Sequence, residues 1–549
     1  MKKIIILLLF LISAKSYSQE VYTSISNTAI YEFLDELANG KIISLNSAIK
    51  PYSRIYIAKK LKEADEKGYA LNKRQKKELA FYLKDYGKEL PGLQMNIFLG
   101  KHFIKKFSKD TAYKNVKTDL FYYKDSIFTL TINPVLGYKY FLNENGDNYH
   151  RWNGAEGYAY IGKHLGVYSS LRDNYESELF AKTQYLIQQQ GGIFKFDGKG
   201  GDFEEERGGI IYSWKWGSIG ILKDQFTWGN NYNGANIFSD KPPSFPFIKL
   251  HLNPVKWLDF TYIHGWIVSD VTDSLRSYKF MYGTRTVIYP KFLAANILTI
   301  TPVKFLNISI GNSIIYSDIG VHPGYLIPVM FYKAVDHSLN TMSNNTGQNA
   351  QMYFDISSRN IKNLHLYTSF YVDEISIRNM WNDSLQSNWL SGKLGFRLSS
   401  FPIKNLSFIA EYTRSNPFAY RHFIPTTTFE SNKYNLGYYL KDNAEEYYFC
   451  LRYKPIRGLT TDISYTDSKK GPEYVYTGTA KNGLGLPFMK NVEWQSKAVS
   501  VKISYELIND VFLSFEYINN FITGNYLKYN PEFYWGNTNT YVVGANIGF

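Results

Sequence analysis

The strongest constraint on this chain is a two-residue apolar period over residues 93–549. Apolar side chains occupy every second position, and polar or small side chains occupy the positions between them. The clearest stretches are residues 394–398, 447–453, 459–465, 499–505 and 541–549. Successive side chains of a β-strand point to opposite faces, so the pattern predicts strands with one apolar face and one polar face.

The alternation alone is compatible with a soluble β-sandwich as well as with a membrane barrel. Residues 93–549 are far more than one sandwich needs. Aromatic residues make up 17% of the chain and collect near strand ends, as at Trp214 and Trp216, which is typical of the aromatic girdles of membrane barrels. The chain also ends on an aromatic residue, Phe549, in phase with the apolar face of its strand. These features favour a barrel, with a soluble multi-sandwich protein as the alternative.

Spanning helices are not available to this chain. After the first fifteen or so residues it has no apolar run of the ~20 residues that a spanning helix needs. Only helices and closed barrels satisfy every backbone polar group in lipid, so an exported chain of this kind is predicted to be an antiparallel all-β transmembrane barrel. At roughly 10 residues per crossing, plus turns and loops, residues 93–549 predict about 16 to 20 strands.

Three long polar stretches are expected to be external loops. They are residues 143–151, 197–206 and 338–349. A barrel of this size has a lumen wide enough for water unless loops or side chains fill it.

The N-terminus has the pattern of a secretory signal peptide. Lys2 and Lys3 precede the apolar stretch 4–12, and the small residues Ser16 and Ser18 follow it. Residues 1–18 are therefore predicted to be removed after Ser18, and the mature protein is expected in the cell outer membrane.

The net charge indicates which partners to expect, and the cysteine content excludes a disulfide-stabilised fold. The formal charge is +14, and removal of three lysines with residues 1–18 leaves 14 − 3 = +11. On an exported protein this balance favours anionic lipid headgroups or acidic polymers over nucleic acid. Cys450 is the only cysteine, which excludes a disulfide framework, and it is expected to be an inert residue on the polar side of the barrel wall.

Residues 19–92 are predicted to form a small helical bundle before the barrel of residues 93–549. Ile30, Phe33, Leu34 and Leu37 have helical spacing, and that helix is expected to end at residues 39–40. A second helix is predicted after Ser53 and a third after Asn72, ending near residues 68 and 87. The Lys-rich segment 73–77 favours a solvated face, with contact to lipid headgroups as the alternative.

The most distinctive part of the sequence is residues 221–250. Its motifs read Lys-Asp-Gln-Phe-Thr-Trp-Gly at 223–229, Asn-Ile-Phe-Ser-Asp at 236–240 and Pro-Ser-Phe-Pro at 243–246. Further matching motifs lie at residues 153–157, 161–166, 253–258, 411–414 and 417–422. Together with the helical start, these motifs resemble the Wzi-like capsule-assembly family of outer-membrane barrels, as found in Bacteroidetes-type bacteria.

The resemblance implies an eighteen-stranded barrel with a periplasmic helical bundle, acting as a surface lectin that helps to attach capsular polysaccharide or exopolysaccharide. Relatives in gliding bacteria are associated instead with motility and adhesion, and this chain is similar to those as well. Residues 338–349 and the loops after Asn143 and Asp197 match nothing in the family pattern. Because external loops carry recognition, the identity of the ligand stays open.

Candidate ligand-binding residues follow from the chemistry of sugar recognition. Sugars are bound by flat aromatic faces and by planar amide, carboxylate or guanidinium groups. One stretch offers this mixture within ten positions: Asp224, Gln225, Trp228, Asn230, Asn231 and Tyr232. The alternative is a turn held by asparagine and glycine beside a girdle tryptophan. Arg397, Glu411 and Arg414 are expected to face inward and to line a polysaccharide path, with mutual pairing inside the lumen as the alternative.

No enzymatic activity, cofactor or metal site is predicted. The chain lacks a His-Glu-x-x-His motif, and the acidic segment 202–206 lacks the ligand spacing of an EF-hand loop. His251, His264 and His422 lie near predicted strand ends and could pair with a serine as in outer-membrane hydrolases, which is the weaker reading.

The leading hypothesis is a non-enzymatic barrel that binds and organises surface polysaccharide. The alternatives are a component of a gliding or adhesion apparatus that docks other proteins, and a passive pore. Predicted partners are surface polysaccharide, outer-membrane lipids, the outer-membrane assembly machinery through Phe549, and gliding or secretion proteins.

Overall fold

A computed structural model describes residues 19–90, 98–99, 117, 119–339, 347–475 and 483–549. The predicted signal peptide (1–18) and the predicted domain boundary at residues 92–93 lie outside the described residues, and the polar stretch 338–349 lies partly outside them.

Within the described residues, eighteen antiparallel strands form a closed barrel, which confirms the predicted fold class. The strands are β1 Phe128–Asn143, β2 Gly146–Ile161, β3 Leu165–Glu176, β4 Gly200–Trp214, β5 Gly217–Asp224, β6 Phe245–Val255, β7 Leu258–Thr272, β8 Ile288–Val303, β9 Leu306–Ser317, β10 Asn349–Ser358, β11 Leu364–Glu374, β12 Trp389–Ser399, β13 Leu406–Ser415, β14 Ala444–Tyr453, β15 Leu459–Lys470, β16 Trp494–Ile508, β17 Val511–Gly524 and β18 Asn537–Ile547. Each strand pairs with the next, and β18 pairs with β1 to close the barrel, with Tyr541 opposite Leu142.

Short strands lie outside this set. They are Ile49–Lys50, Phe98–Leu99, Phe121–Lys124, Lys195–Asp197, Thr227–Trp228, Tyr278–Phe280, Gly283–Arg285, Glu430–Ser431 and Tyr434–Asn435.

The two-residue period separates the two faces of the wall. In β14, Phe449 and Leu451 are exposed outward, while Glu446 and Cys450 between such positions are buried on the luminal face. In β18 the apolar alternation ends at Ile547, and the ring of Phe549 packs edge-on against Phe512 at 5.1 Å. In β14 the outer face is therefore apolar and the luminal face polar, as expected for a barrel in lipid.

Three helices precede the barrel strands, at the predicted positions: α1 Thr28–Asn39, α2 Arg54–Glu66 and α3 Lys73–Tyr86. The Ser53 side chain accepts a hydrogen bond from the Tyr56 amide and so begins α2, and Asn72 with Gln75 forms a capping box at the start of α3. A further helix, α4, spans Tyr332–Leu339, and one helical turn spans Tyr526–Tyr529. No helix in the described part of the chain is both long and apolar enough to cross a membrane.

The two ends of the barrel differ. At the end we call the turn end, connections are short, as between β4 and β5, and the helices contact them: the Asn72 side chain donates to Asn405 of the β12–β13 turn at 3.0 Å. At the opposite end, the loop end, most connections are long. The longest are residues 177–199, 225–244, 318–348, 416–443 and 471–493.

Two of the predicted external loops are wrong. Residues 144–145 form a two-residue turn, and residues 146–151 belong to β2, while residues 200–206 belong to β4. The strands continue past the apolar belt, and there an outward side chain such as Glu204 is exposed and needs no apolar character. Polarity therefore does not distinguish a loop from the projecting end of a barrel strand.

Candidate functional site

Helix α1 presents an acidic face to the barrel interior. Glu32, Asp35 and Glu36 share one face because residues three and four apart are neighbours on a helix. Arg397 of β12 donates to Glu32 at 2.8 Å and to Asp35 at 3.0 Å. Arg359, at the turn after β10, donates to the other oxygen of Asp35. The helix is thus held to the wall by ion pairs between segments far apart in the chain.

The basic residues of the wall determine the ionisation of this helix face. Burial alone would raise the pKa of Glu32, but the nearby guanidinium groups of Arg397 and Arg452 lower it to about 2. Asp35 behaves in the same way: burial opposes ionisation, and Arg359 and Arg397 outweigh it, which holds its pKa well below the ordinary value. Both carboxyl groups are therefore charged at neutral pH.

The loop of residues 225–244 enters the lumen and meets the N-terminal segment there. Thr227–Trp228 pairs with Ile49–Lys50 as a two-stranded antiparallel sheet. The indole of Trp228 is 1% exposed and lies 5.1 Å from the ring of Phe238 and 5.9 Å from that of Tyr353 on the wall. An aromatic cluster therefore joins the N-terminal segment, the loop and the wall inside the barrel.

Three of the predicted ligand-binding residues are buried beside this cluster. Asp224 accepts a hydrogen bond from the Tyr168 hydroxyl at 2.5 Å. The backbone amide of Asn230 donates to Asp355 of β10 at 2.8 Å. Gln225 is 4% exposed. Their polar groups therefore meet protein partners or the protein interior, and Trp228 beside them lies inside the lumen and not in a membrane girdle.

Two more of these residues lie closer to open space. The amide of Tyr232 donates to Glu411 at 2.6 Å, and its hydroxyl donates to Asp35 and lies 2.8 Å from His365 Nδ1. The Asn231 side chain donates to the carbonyl of Gly229 at 2.9 Å. Both residues line a luminal cavity of about 290 Å³ between α1 and the loop.

The three predicted inward charges divide into two groups. Arg397 and Glu411 are buried on the luminal face, as expected. Glu411 accepts a hydrogen bond from Lys393 at 3.1 Å. The inward orientation predicted for Arg414 is wrong, because Glu411 and Arg414 are three residues apart in β13 and side chains three apart in a strand point to opposite faces.

Arg414 instead borders a pocket of about 390 Å³ at the loop end of β12 and β13, which we call the rim pocket. Residues 380–389 form one side of it, and residues 483–488 form the other. Its ring and polar side chains are Asp383, Gln386, Asn388, Trp389, Arg414, Asn416 and Phe488.

Backbone and amide contacts fix the walls of the rim pocket. The Trp389 indole donates to the Gly483 carbonyl at 3.0 Å, and the Asn416 side chain donates to the Asn388 carbonyl at 2.8 Å. The Arg414 guanidinium stacks 3.7 Å from the centre of the Phe488 ring. The Oδ1 atom of Asn388 is buried without a hydrogen-bond partner among the described residues. The pocket thus combines aromatic rings with carboxylate, amide and guanidinium groups.

The barrel of this chain resembles that of Wzi. The solved structure of Wzi from Escherichia coli, an outer-membrane protein involved in group 1 capsule assembly and described as a carbohydrate-binding β-barrel, is 10% identical in sequence, covers 97% of this chain and 100% of its own, and has a TM-score of 0.57. At this identity the likeness shows the fold alone.

The other structural matches have lower TM-scores. The Pseudomonas aeruginosa protein OccD3 (OpdP) and a variant of OccD1 (OprD) are 10% and 11% identical, each over 76% of this chain and over 91% and 95% of their own, with TM-scores of 0.41. No family model matches the chain. No curated protein matches it.

Of the residues that line the rim pocket, Arg414 alone is predicted from the sequence as a ligand-binding residue, although a signal for the others exists. Residues 381–389, Trp-Asn-Asp-Ser-Leu-Gln-Ser-Asn-Trp, contain the same mixture of aromatic, amide and carboxylate groups that singled out residues 224–233. Both segments therefore have the composition of a sugar-binding stretch.

The histidines proposed for a hydrolase are used in other ways. His251 lies 3.1 Å from Asp259, His264 lies 2.7 Å from the Tyr316 hydroxyl, and His422 lies 2.7 Å from Thr427 Oγ1. Among the described residues, no group of three or more histidine, cysteine or acidic side chains could hold a metal ion.

One serine–histidine contact does occur in the wall. His365 Nε2 lies 2.8 Å from Ser357 Oγ, but both residues are buried. The other ring nitrogen of His365 faces the Tyr232 hydroxyl and the Arg359 guanidinium, where a catalytic triad has a carboxylate. The contact is a hydrogen bond within the barrel wall, and Ser357 and His365 lack the arrangement of a catalytic serine and its base.

Proposed function

We propose that this protein is an outer-membrane barrel that binds capsular polysaccharide or exopolysaccharide at its loop end and helps to attach or organise it at the cell surface. In this orientation the turn end and its helices face the periplasm, because membrane barrels have short periplasmic turns and longer external loops. The role is that of a lectin and involves no chemical conversion of the sugar.

The rim pocket is the observation that carries this proposal. Trp389 and Phe488 supply rings for stacking on sugar C–H groups, and Asp383, Arg414 and the amides supply groups that pair with ring hydroxyls. The pocket opens at the loop end, where a surface polymer approaches. Arg414 also suits an acidic polysaccharide, since guanidinium pairs strongly with carboxylate.

The filled part of the lumen supports binding over free diffusion. The N-terminal segment and the loop of residues 225–244 meet inside the barrel at Trp228, which is 1% exposed. A polymer therefore has a surface to bind at the mouth but meets side chains below it. Steady large channels in planar bilayers would contradict this reading and favour a passive pore.

The direct test uses the purified full-length protein and polysaccharide extracted from the same bacterium. We expect the immobilised protein to retain this polysaccharide, and we expect a deletion strain to release more of it into the medium than the wild type does. Absence of retention, together with unchanged surface polysaccharide in the deletion strain, would contradict the lectin role. Loss of surface spreading with intact capsule staining would favour a motility or adhesion role instead.

A further inference from the structure

In the connection between β9 and β10, residues 319–339 fold back over the outside of the barrel. We call these residues, which include α4, the outer flap. The Tyr262 hydroxyl of β7 donates to the Tyr325 carbonyl at 3.0 Å, and the Asn296 side chain of β8 donates to the Pro328 carbonyl at 2.8 Å. The flap amide of Tyr332 donates to Asn312 Oδ1 of β9 at 2.9 Å.

The strand register shows that these contacts lie on the outer face. Tyr262 is paired with Asn296, and Asn296 is paired with Asn312, so the three side chains share one face of the sheet. The neighbouring residues Ile263 and Ile297 point to the opposite face and belong to the luminal cluster that contains Trp228. The flap therefore covers wall positions that face away from the lumen.

The flap packs closely against the outer face of the wall. The rings of Tyr325 and Tyr332 are 1% and 0% exposed, and Tyr325 packs 4.6 Å from Tyr316 of β9. Asn296 donates a second hydrogen bond to the Met330 carbonyl at 2.9 Å. In lipid every backbone polar group needs a protein partner, and here the amide side chains of the wall provide partners for an irregular segment. Conversely, the flap gives these asparagines partners that lipid could not offer.

The other side of the flap is apolar and exposed. Residues 319–332 contain no Asp, Glu, Lys or Arg. Their exposed apolar side chains include Val321, Leu326, Ile327, Val329, Met330 and Phe331, with Val329 75% exposed. Charges return on both sides of the stretch, at Asp318 and at Lys333, and Lys333 pairs with Glu374 at the loop end of β11 at 3.8 Å.

We propose that the outer flap is embedded in the membrane, with residues 321–331 in contact with lipid acyl chains of the leaflet at the loop end. The observation that selects lipid as the occupant is continuity: the exposed face of the flap adjoins the lipid-facing wall, where Ile310 and Phe354 are 51% and 38% exposed. An apolar patch this close to the acyl belt would otherwise have to be covered by a second protein.

The test measures where a spin label sits on the flap. Each variant is labelled at one introduced cysteine and reconstituted into phosphatidylcholine vesicles, and collision of the label with oxygen, which partitions into lipid, is compared with collision with a water-soluble nickel chelate. The test position is Val329→Cys, with Phe331→Cys as a second position. The matched controls are Ile310→Cys on the lipid-facing wall and Tyr69→Cys, 87% exposed on the helical bundle. The wild type sets the background, because Cys450 is buried.

We expect the labels at positions 329 and 331 to behave like the label at position 310, with oxygen collisions dominating by several-fold. Collision with the nickel chelate at the level found for position 69 would overturn the proposal by placing the flap in water. Shielding from both reagents at both positions would also overturn it, because the flap would then be covered by protein, and crosslinking between copies would identify a second barrel as the occupant. The result does not depend on polysaccharide binding.

Discussion

The guanidinium of Arg397 on β12 lies 3.0 Å from the carboxylate of Asp35 on α1, 362 residues earlier in the chain. Both side chains are buried, and the same guanidinium also reaches Glu32. The contact joins the first helix to the middle of the barrel sequence. It places the N-terminal segment inside the barrel at the turn end. There the segment supports the loop of residues 225–244, which enters the lumen from the loop end.

Replacing Arg397 with methionine is expected to destabilise the folded protein. Removal of one partner from a buried ion pair leaves uncompensated charge and costs about 3–5 kcal/mol. Arg452 and Arg359 still face the two carboxylates, so we expect the lower end of that range. The measurement is the urea midpoint of unfolding in lipid vesicles, together with protease cleavage between residues 19 and 90. As control, Glu63→Gln removes two partly exposed ion pairs, with Lys60 and Lys67, and should change stability by less than about 1 kcal/mol.

Acid is expected to weaken the same contact. The pKa of Glu32 is lowered to about 2 from an ordinary 4.5, so its contribution to stability is complete above pH 4.5 and is lost as the pH falls through 2. Asp35 changes stability in the same direction. The urea midpoint should therefore fall between pH 4.5 and pH 2. In Arg397→Met the urea midpoint should fall less over this pH range. An equal fall in the wild type and in Arg397→Met would contradict the role of Arg397 in lowering the pKa of Glu32.

Much of the fold follows from the sequence because its signals are local. The two-residue period identifies the wall strands, and Ser53 and Asn72 mark the helix starts through side chains that accept from the next turn. The outer flap has no such signal. Residues 319–332 form an apolar run whose hydrogen-bond partners, Asn296 and Tyr262, come from other strands, so only the three-dimensional arrangement identifies it.

The site was less predictable for the same reason. Residues 224–233 and 381–389 have similar composition, but the first segment turns into the lumen, where Trp228 pairs with the N-terminal segment, and the second stays at the mouth. No local sequence pattern predicts whether a loop turns into the lumen or stays at the mouth of the barrel. The orientation of Arg414, in contrast, could be predicted from the sequence, because Arg414 and Glu411 are three residues apart in one strand.

Arg414→Ala is expected to weaken polysaccharide retention by about tenfold or more, because a hydrogen bond to a charged group contributes about 1.5–3 kcal/mol. The residue is exposed and stacks on Phe488, so folding should be preserved. The matched control is Arg378→Ala. Arg378 is an exposed arginine on the β11–β12 connection, which borders the rim pocket, but it is not itself part of the pocket lining. Equal retention by the two variants would assign the sugar to another surface.

Trp228→Ala tests whether residues 224–233 bind ligand directly or support the lumen. Removal of a fully buried tryptophan from a packed cluster costs about 3–5 kcal/mol, so we expect a large fall in the urea midpoint. Trp381→Ala, at a side chain 91% exposed, should change stability by about 0.5 kcal/mol or less. Loss of retention in Trp228→Ala with unchanged stability would instead support the predicted ligand-binding role of this segment.

Asn312→Leu tests the attachment of the outer flap to the wall. The substitution removes the acceptor of the Tyr332 amide, at 2.9 Å, and one of two donors to the Met330 carbonyl, at 3.2 Å. The amide therefore loses this partner in an apolar setting, while the carbonyl keeps Asn296. An unsatisfied buried group costs about 1–3 kcal/mol, which should appear as faster amide hydrogen exchange in residues 319–339, while exchange in β9 itself stays slow. Ile310→Leu, two positions away on the same face, should leave the exchange of the flap unchanged. If Asn312→Leu and Ile310→Leu exchange alike, the Asn312 hydrogen bonds do not hold the flap. Its position must then depend on its other wall contacts, which are the packing of Tyr325 and Tyr332 and the hydrogen bonds from Tyr262 and Asn296.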